Sequence, residues 1–314
     1  MSFVDPAAGI RTSLFKGLIM KVDIDLTDPR VQFALALVRR QVGIALDLPQ
    51  RIESAVLPIY HTLKKNKLEQ TGSGVAFQIG SEYFVLSASH VFDDIGINQL
   101  CMAVTKGELL CTFGGDRFSS ARGKSGTHAD DPIDASVFHI QSELPDEFKR
   151  IALTLEDVDL EQSDDVGCVY MAAGFRSKKS NTSGNQANAK RECFPSRELD
   201  QEDYLKLGLD RNIHIALAYE NQTVIGGRWQ TSPSPKGISG GAMIKAKGIP
   251  MVPRPGLRFH EETARQLLSG ITIAQRRERG GKPGALIATR IGVHLGLIQN
   301  YLPEVFIDTD LKSD

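Results

Sequence analysis

Three residue types spaced far apart could do chemistry together: a histidine at the end of Ser87-Ala88-Ser89-His90, a carboxylate opening Asp134-Ala135-Ser136-Val137, and a hydroxyl within Gly237-Ile238-Ser239-Gly240-Gly241. Serine is a poor nucleophile at neutral pH, so it needs a neighbouring base and a third group that holds the base in the right tautomer. His90, Asp134 and Ser239 supply these roles in turn. The glycines around Ser239 let backbone N–H groups converge on a developing negative oxygen, because glycine adopts positive φ without steric cost. The Gly237 and Ser239 N–H groups are the expected oxyanion hole.

Each motif alone has a plainer explanation. A glycine-rich turn is unremarkable in a chain with 29 glycines, a histidine after a strand is commonly a satisfied structural residue, and a carboxylate at a strand start is commonly a solvated turn residue. Their joint occurrence points to a hydrolase. Asp134 is preferred over Asp130 and Asp131 because it directly precedes the apolar run 135–140, which would fix it at a strand edge.

With these motifs in place, the chain resembles the trypsin-like (chymotrypsin-fold) serine peptidases, particularly compact bacterial members without secretion signals. The resemblance runs over roughly residues 55–300, through Thr71-Gly72-Ser73-Gly74-Val75-Ala76-Phe77, Tyr83 to Val91, Asp134 to Phe138, the Gly-x-Ser-Gly-Gly turn, and Leu268-Ser269-Gly270-Ile271. It implies an all-β fold of two packed six-stranded antiparallel β-barrels with a cleft between them. His90 and Asp134 would come from the first barrel and Ser239 from the second. It also implies a specificity pocket floored near Pro233 and walled by Ser269, Gly270 and Ile271. With no carboxylate at that floor, arginine or lysine is not expected as the preferred residue at the cleavage position.

Two departures from the family pattern matter. Ser87 and Ser89 stand where threonine and a smaller residue are usual, which keeps the small-residue setting before His90. Ile238 stands where zymogen-activated members carry an aspartate that pairs with a newly cut N-terminus, and no Ile-Val-Gly-Gly-like start lies near Arg51-Ile52-Glu53. Activation by such a cut is not expected.

The turn 237–241 also fits the nucleophile elbow of α/β-hydrolases, which need an acid and then a histidine after the serine. His260 and His294 follow Ser239, with Glu261, Glu262 and Glu278 between them. That order stays formally open, but the short apolar run Met243-Ile244 before Lys245-Ala246-Lys247-Gly248 does not read as strand-turn-helix.

Composition fits a compact enzyme. A chain of 314 residues, 41% hydrophobic and 24% charged, is ordinary for a globular protein, and one of this size buries about 75% of its unfolded surface. The net charge of −1 gives no support for nucleic-acid or membrane partners. No signal-peptide pattern and no run of about 20 apolar residues is visible, so a cytoplasmic location is expected. Cys101, Cys111, Cys168 and Cys193 lack Cys-x-x-Cys spacing, which indicates neither a metal site nor a disulfide framework; no cofactor is expected.

The elements that must position the chemistry follow from pattern. Thr27-Asp28-Pro29 reads as a helix start, and Val31, Leu35, Val38 and Val42 give one apolar face, so a helix is expected near 29–45 within an N-terminal extension, 1–50. Short apolar runs separated by Gly, Asp, Asn and Ser then mark β-structure. Strands at 56–60, 74–79, 83–87, 100–104 and 135–140 are assigned to a first barrel, residues 51–145. Strands at 166–173, 213–218, 223–225, 241–244, 268–273 and 285–288 are assigned to a second, residues 146–314, closed by a short C-terminal helix. Residues 176–192 read as a mobile polar loop, 275–284 as a hairpin end, and 250–267 as an insertion over one rim of the cleft, with helical composition at 261–267. The expected activity is serine endopeptidase, acting on a protein or peptide. The alternative is a peptidase-like protein-binding module, catalytically silent or restrained by a regulatory protein partner.

Overall fold

The computed structural model describes residues 24–62, 68–93, 95, 96, 98–105, 109–161, 167–183, 186–225, 228–252 and 263–310. The predicted first helix is present as α1, Pro29–Asp47, with Asp28 as its N-cap; the Asp28 carboxylate accepts the Arg30 N–H at 2.8 Å. Its buried stripe includes Leu35, Val38, Val42, Ala45 and Leu46. A short helix α2, Arg51–Ser54, leads into the β-structure.

Six strands follow: β1 Val56–Thr62, β2 Leu68–Ile79, β3 Glu82–Ala88, β4 Gln99–Thr105, β5 Leu109–Ser119 and β6 Ala135–Ile140. They pair antiparallel in the order β4-β1-β2-β3-β6-β5, and β4 also pairs with β5, so the sheet closes into a six-stranded barrel. Phe77 and Phe84 share one face of this sheet and Phe138, which pairs with Val85, lies on the other; these rings and Phe113 are at most 1% exposed. Five of these strands coincide with the predicted runs. The sixth, β5, lies outside the predicted runs; it carries Gly114-Gly115-Asp116-Arg117, and the ladders to β4 and β6 on either side make it a strand.

After α3, Asp146–Ile151, come β7 Cys168–Ser183, β8 Gln186–Arg197, α4 Gln201–Leu207, β9 His214–Ala218, β10 Gln222–Ile225, β11 Arg228–Thr231, β12 Ala242–Pro250, β13 Arg265–Arg276 and β14 Ala285–Arg290. The chain then runs through α5, Ile291–Tyr301, and α6, Glu304–Asp310. β8-β7-β12-β13-β14-β9 form a second antiparallel run, joined to the barrel where Gln186 pairs with Leu109. Its end strands meet at one bridge, Glu198 with Leu217, and at Leu199 N–H to the Ala216 carbonyl, 2.8 Å.

Several expectations change. Residues 223–225 do not join the second sheet; they pair with β11 in a separate two-stranded ribbon. The polar stretch 176–192 is mostly the outer part of the β7–β8 hairpin, a correction whose cause is tertiary. The Thr182 hydroxyl bonds the Leu68 carbonyl at 3.1 Å, Ser180 and Tyr60 hydroxyls lie 3.1 Å apart, and Ala187 is buried with Tyr60 and Ala103. Residues 253–262 of the expected insertion lie outside the described residues, and Arg265–Leu267, read as helical, belong to β13. The expected division at 145 falls in the connection between β6 and β7.

Candidate active site

The antiparallel register of β3 and β6 pairs Ala88 with Ala135. Residues just after Ala88 and just before Ala135 therefore emerge side by side at one end of the barrel. His90 sits there on a single 3-10 turn, Ser89–Phe92, and Asp134 faces it. Asp134 has φ 49°, the only positive φ at a non-glycine among the described residues. Asp and Asn tolerate this left-handed conformation better than most side chains. Held so, the carboxylate grips His90 twice, accepting its backbone N–H on Oδ1 at 2.9 Å and lying 2.6 Å from Nδ1 through Oδ2.

That contact places the ring proton on Nδ1 and leaves Nε2 as the acceptor in the neutral ring. Burial alone pulls the His90 pKa down; the hydrogen bond and charge of Asp134, joined by the charge of Asp93, more than offset this and set it above the ordinary 6.5. Asp130 and Asp131 do not reach the ring. Asp130 bonds Ser125, and Asp131 accepts from Ser120 Oγ and the Ile133 N–H.

Ser239 is carried by the tight turn leading into β12. Within it Ile238 N–H bonds the Pro235 carbonyl at 3.0 Å and Gly241 N–H bonds the Ile238 carbonyl at 2.8 Å, with Gly237 and Gly240 at φ 100° and 81°. A Cβ at Gly240 would run into the Ser73 carbonyl and the Ser87 hydroxyl, so only glycine fits there. The turn is fastened to both halves of the molecule. Ser73 N–H of β2 donates to the Ser239 carbonyl at 2.7 Å, and Gly240 N–H donates to the Thr272 carbonyl of β13 at 2.7 Å. Ser239 Oγ lies 3.5 Å from the Ile273 carbonyl.

The histidine and serine segments meet over one residue. A Cβ on Gly72 would come within 2.7 Å of the Val91 side chain, next to His90, and 2.8 Å of the Ser239 carbonyl. The Gly-x-Gly strand thus lets both segments close on β2. Ile238 is 3% exposed and packs with Tyr170, Phe194, Tyr219 and Leu286, so apolar burial holds the turn where an ion pair would in the zymogen-activated pattern.

The direction of the candidate oxyanion donors follows from peptide geometry. In a trans peptide the C=O of one residue and the N–H of the next point opposite ways. The Lys236 carbonyl accepts Ser177 N–H of β7 at 3.1 Å, which turns Gly237 N–H away from β7; the Ile238 carbonyl accepts Gly241 N–H, which turns Ser239 N–H out of the turn. Among the described residues no backbone carbonyl takes up either donor.

No family model matches the chain, and no curated protein matches it in sequence.

Ser269, Gly270 and Ile271, expected to wall the pocket, lie in β13. Ser269 Oγ bonds buried Asp159 at 3.1 Å, with Lys245 Nζ 3.4 Å from the same carboxylate. Gly270 is paired between Met243 and Arg290, and Ile271 is fully buried. The β13 residues that reach the Ser239 turn are Thr272 and Ile273, so Ala274 and Gln275 continue past the site. The cross-strand bonds of Gly240 and Gly241 to Thr272 set which β13 residues lie at the turn. Pro233 is half-buried, and its carbonyl accepts the Tyr219 hydroxyl.

The acid-then-histidine order loses its support. His260, Glu261 and Glu262 lie outside the described residues, Glu278 is exposed, and His294 is fully buried with Nε2 3.0 Å from the Ser87 carbonyl. Burial pushes the His294 pKa down to about 4 despite its backbone hydrogen bonds, which keeps this ring neutral. Two site neighbours had no motif to reveal them: Asp93 and His128 form a second His–Asp pair beside the first. Among the described residues no three His, Cys, Asp or Glu side chains gather as a metal site, no disulfide joins the four cysteines, and no helix is long and apolar enough to cross a membrane.

Proposed function

We propose that this chain is a serine endopeptidase of the trypsin-like, chymotrypsin-fold type, with the β8-to-β9 run as the second barrel. The observation that carries the reading is the convergence over Gly72 of Val91, which directly follows the Asp134-clamped His90, with a serine turn whose Gly237 and Ser239 N–H groups are turned outward. Neutral His90 takes the Ser239 proton as Oγ attacks a peptide carbonyl, Asp134 stabilises the imidazolium, and the two N–H groups hold the oxyanion. His90 then protonates the leaving amine, and water repeats the sequence on the acyl-enzyme.

The apolar seat of Ile238 supports a turn formed without proteolytic activation. Asp159 is spent on Lys245 and Ser269, and Ser232-Pro233-Ser234-Pro235 carries no carboxylate, which supports a substrate without arginine or lysine as its main cleavage determinant. The test is exposure of the protein to diisopropyl fluorophosphate and to unfolded casein, with Ser239→Ala as control. The expected result is one adduct mapped to Ser239 and casein cleavage that the alanine form lacks. An unlabelled protein that leaves casein whole would make this fold a protein-binding module instead.

A further inference from the structure

Ser73 occupies a position whose backbone and side chain both serve the Ser239 turn. The β2–β3 ladder stops at the pair Val75 with Leu86, so β2 continues towards its start with one edge free. Ser73 uses that edge: its N–H donates to the Ser239 carbonyl at 2.7 Å. Its hydroxyl, fully buried, donates to the Gly237 carbonyl at 3.1 Å and accepts the Phe175 N–H of β7 at 2.9 Å. One hydroxyl therefore ties the first barrel to β7 and to the peptide that follows Gly237. Two residues along β7, Ser177 completes the hold on the preceding peptide, with its N–H at 3.1 Å and its hydroxyl at 3.3 Å from the Lys236 carbonyl.

The consequence is directional. Fixing the carbonyls of Lys236, Gly237 and Ser239 leaves Gly237 N–H no freedom to rotate into the turn, since rotating a peptide plane would break one of these bonds. We infer that Ser73 and Ser177 are positioning residues for the oxyanion hole, acting through the peptides on either side of Gly237. This rests on the reading of Ser239 as the nucleophile. A buried hydroxyl with both a donor and an acceptor role cannot be replaced by alanine without leaving the Phe175 N–H and the Gly237 carbonyl unpaired.

The test measures ester hydrolysis and the affinity for phenylboronic acid, to whose boron Ser239 Oγ adds as its proton passes to His90, putting a boron-bound oxygen at the two N–H groups. In Ser73→Ala, kcat and boronate affinity are expected to fall together by about tenfold or more, short of the roughly hundred- to thousand-fold loss from deleting a donor, with KM within about twofold. Ser73→Thr, which keeps the hydroxyl, is expected to recover most of the loss although it is the bulkier residue; a packing role would rank the two the other way. Ser177→Ala, at a half-buried position that does not threaten folding, is expected to lower both quantities by about twofold to threefold, because its N–H remains. Wild-type kcat and boronate affinity in Ser73→Ala, or in Ser177→Ala should Ser73→Ala not fold, would overturn the inference. If the wild-type protein neither binds the boronate nor hydrolyses the ester, the peptidase reading itself fails and takes the inference with it.

Discussion

Two His–Asp pairs stand beside each other in this molecule and are built the same way. In each, one carboxylate takes the histidine backbone N–H on one oxygen and the ring Nδ1 on the other: Asp134 with His90 at 2.9 and 2.6 Å, Asp93 with His128 at 3.1 and 2.7 Å. They differ in what the far side of the ring meets. His128 leaves 4% of its side chain exposed and sets Nε2 3.3 Å from the Ser120 carbonyl, whereas His90 keeps 34% exposed beside the serine turn. Ring and carboxylate geometry alone does not make a base; an open second nitrogen does. The buried pair ties the segment after His90 to the 120–131 loop, and the open one is the base of the proposed mechanism.

The comparison breaks if the two histidines respond alike to removal. His90→Ala is expected to lower turnover by about a million-fold with little change in melting temperature. His128→Ala is expected to cost about 1–3 kcal/mol of stability through lost buried hydrogen bonds while the folded fraction stays active. Casein assays paired with thermal melts of both variants decide this.

The carboxylates sharpen it further. Asp134→Asn can keep the left-handed backbone but forces the wrong tautomer on His90, and a loss of about ten-thousand-fold in kcat is expected. A modest loss would mean that Asp134 only anchors the loop.

A third histidine extends the series to stability. His294 has its folded pKa pushed down to about 4, below the ordinary 6.5, so the unfolded chain binds a proton that the folded chain refuses between those values. Stability should fall as pH drops from about 6.5 to 4, by about 3 kcal/mol in all from this residue. Urea melts of wild type and His294→Gln across that range should show a shallower slope in the variant.

The smallest expected effect is electrostatic. Because the His90 pKa lies above 6.5 and the proposed mechanism needs it neutral, the acid limb of kcat/KM should rise through a midpoint above 6.5. Asp93→Asn removes one source of that elevation and should move the limb to lower pH by less than one unit, as expected for a partly screened charge. An unmoved limb would remove Asp93 from the field at His90.

Much of this was legible along the chain. The helix at 29–47 announced itself through Asp28-Pro29 and a single apolar face, and β6 through an unbroken run directly after Asp134. β5, β8 and the outer part of β7 were not legible, because their polar and glycine-rich residues show no alternation and become strands only through ladders to other strands. The position of β13 against the serine turn was not legible for a related reason: a dipeptide pattern carries no register, whereas the bonds between Gly240, Gly241 and Thr272 do.

By itself the sequence determined which residues could carry the chemistry, since side-chain type and local glycine placement are properties of short segments. Tertiary structure alone decided that Asp93 closes on His128, that one histidine is open and its twin closed, and that Ser73 reaches the peptide after Gly237. Those outcomes depend on hydrogen bonds and burial between residues far apart in the chain, and no local spacing encodes them.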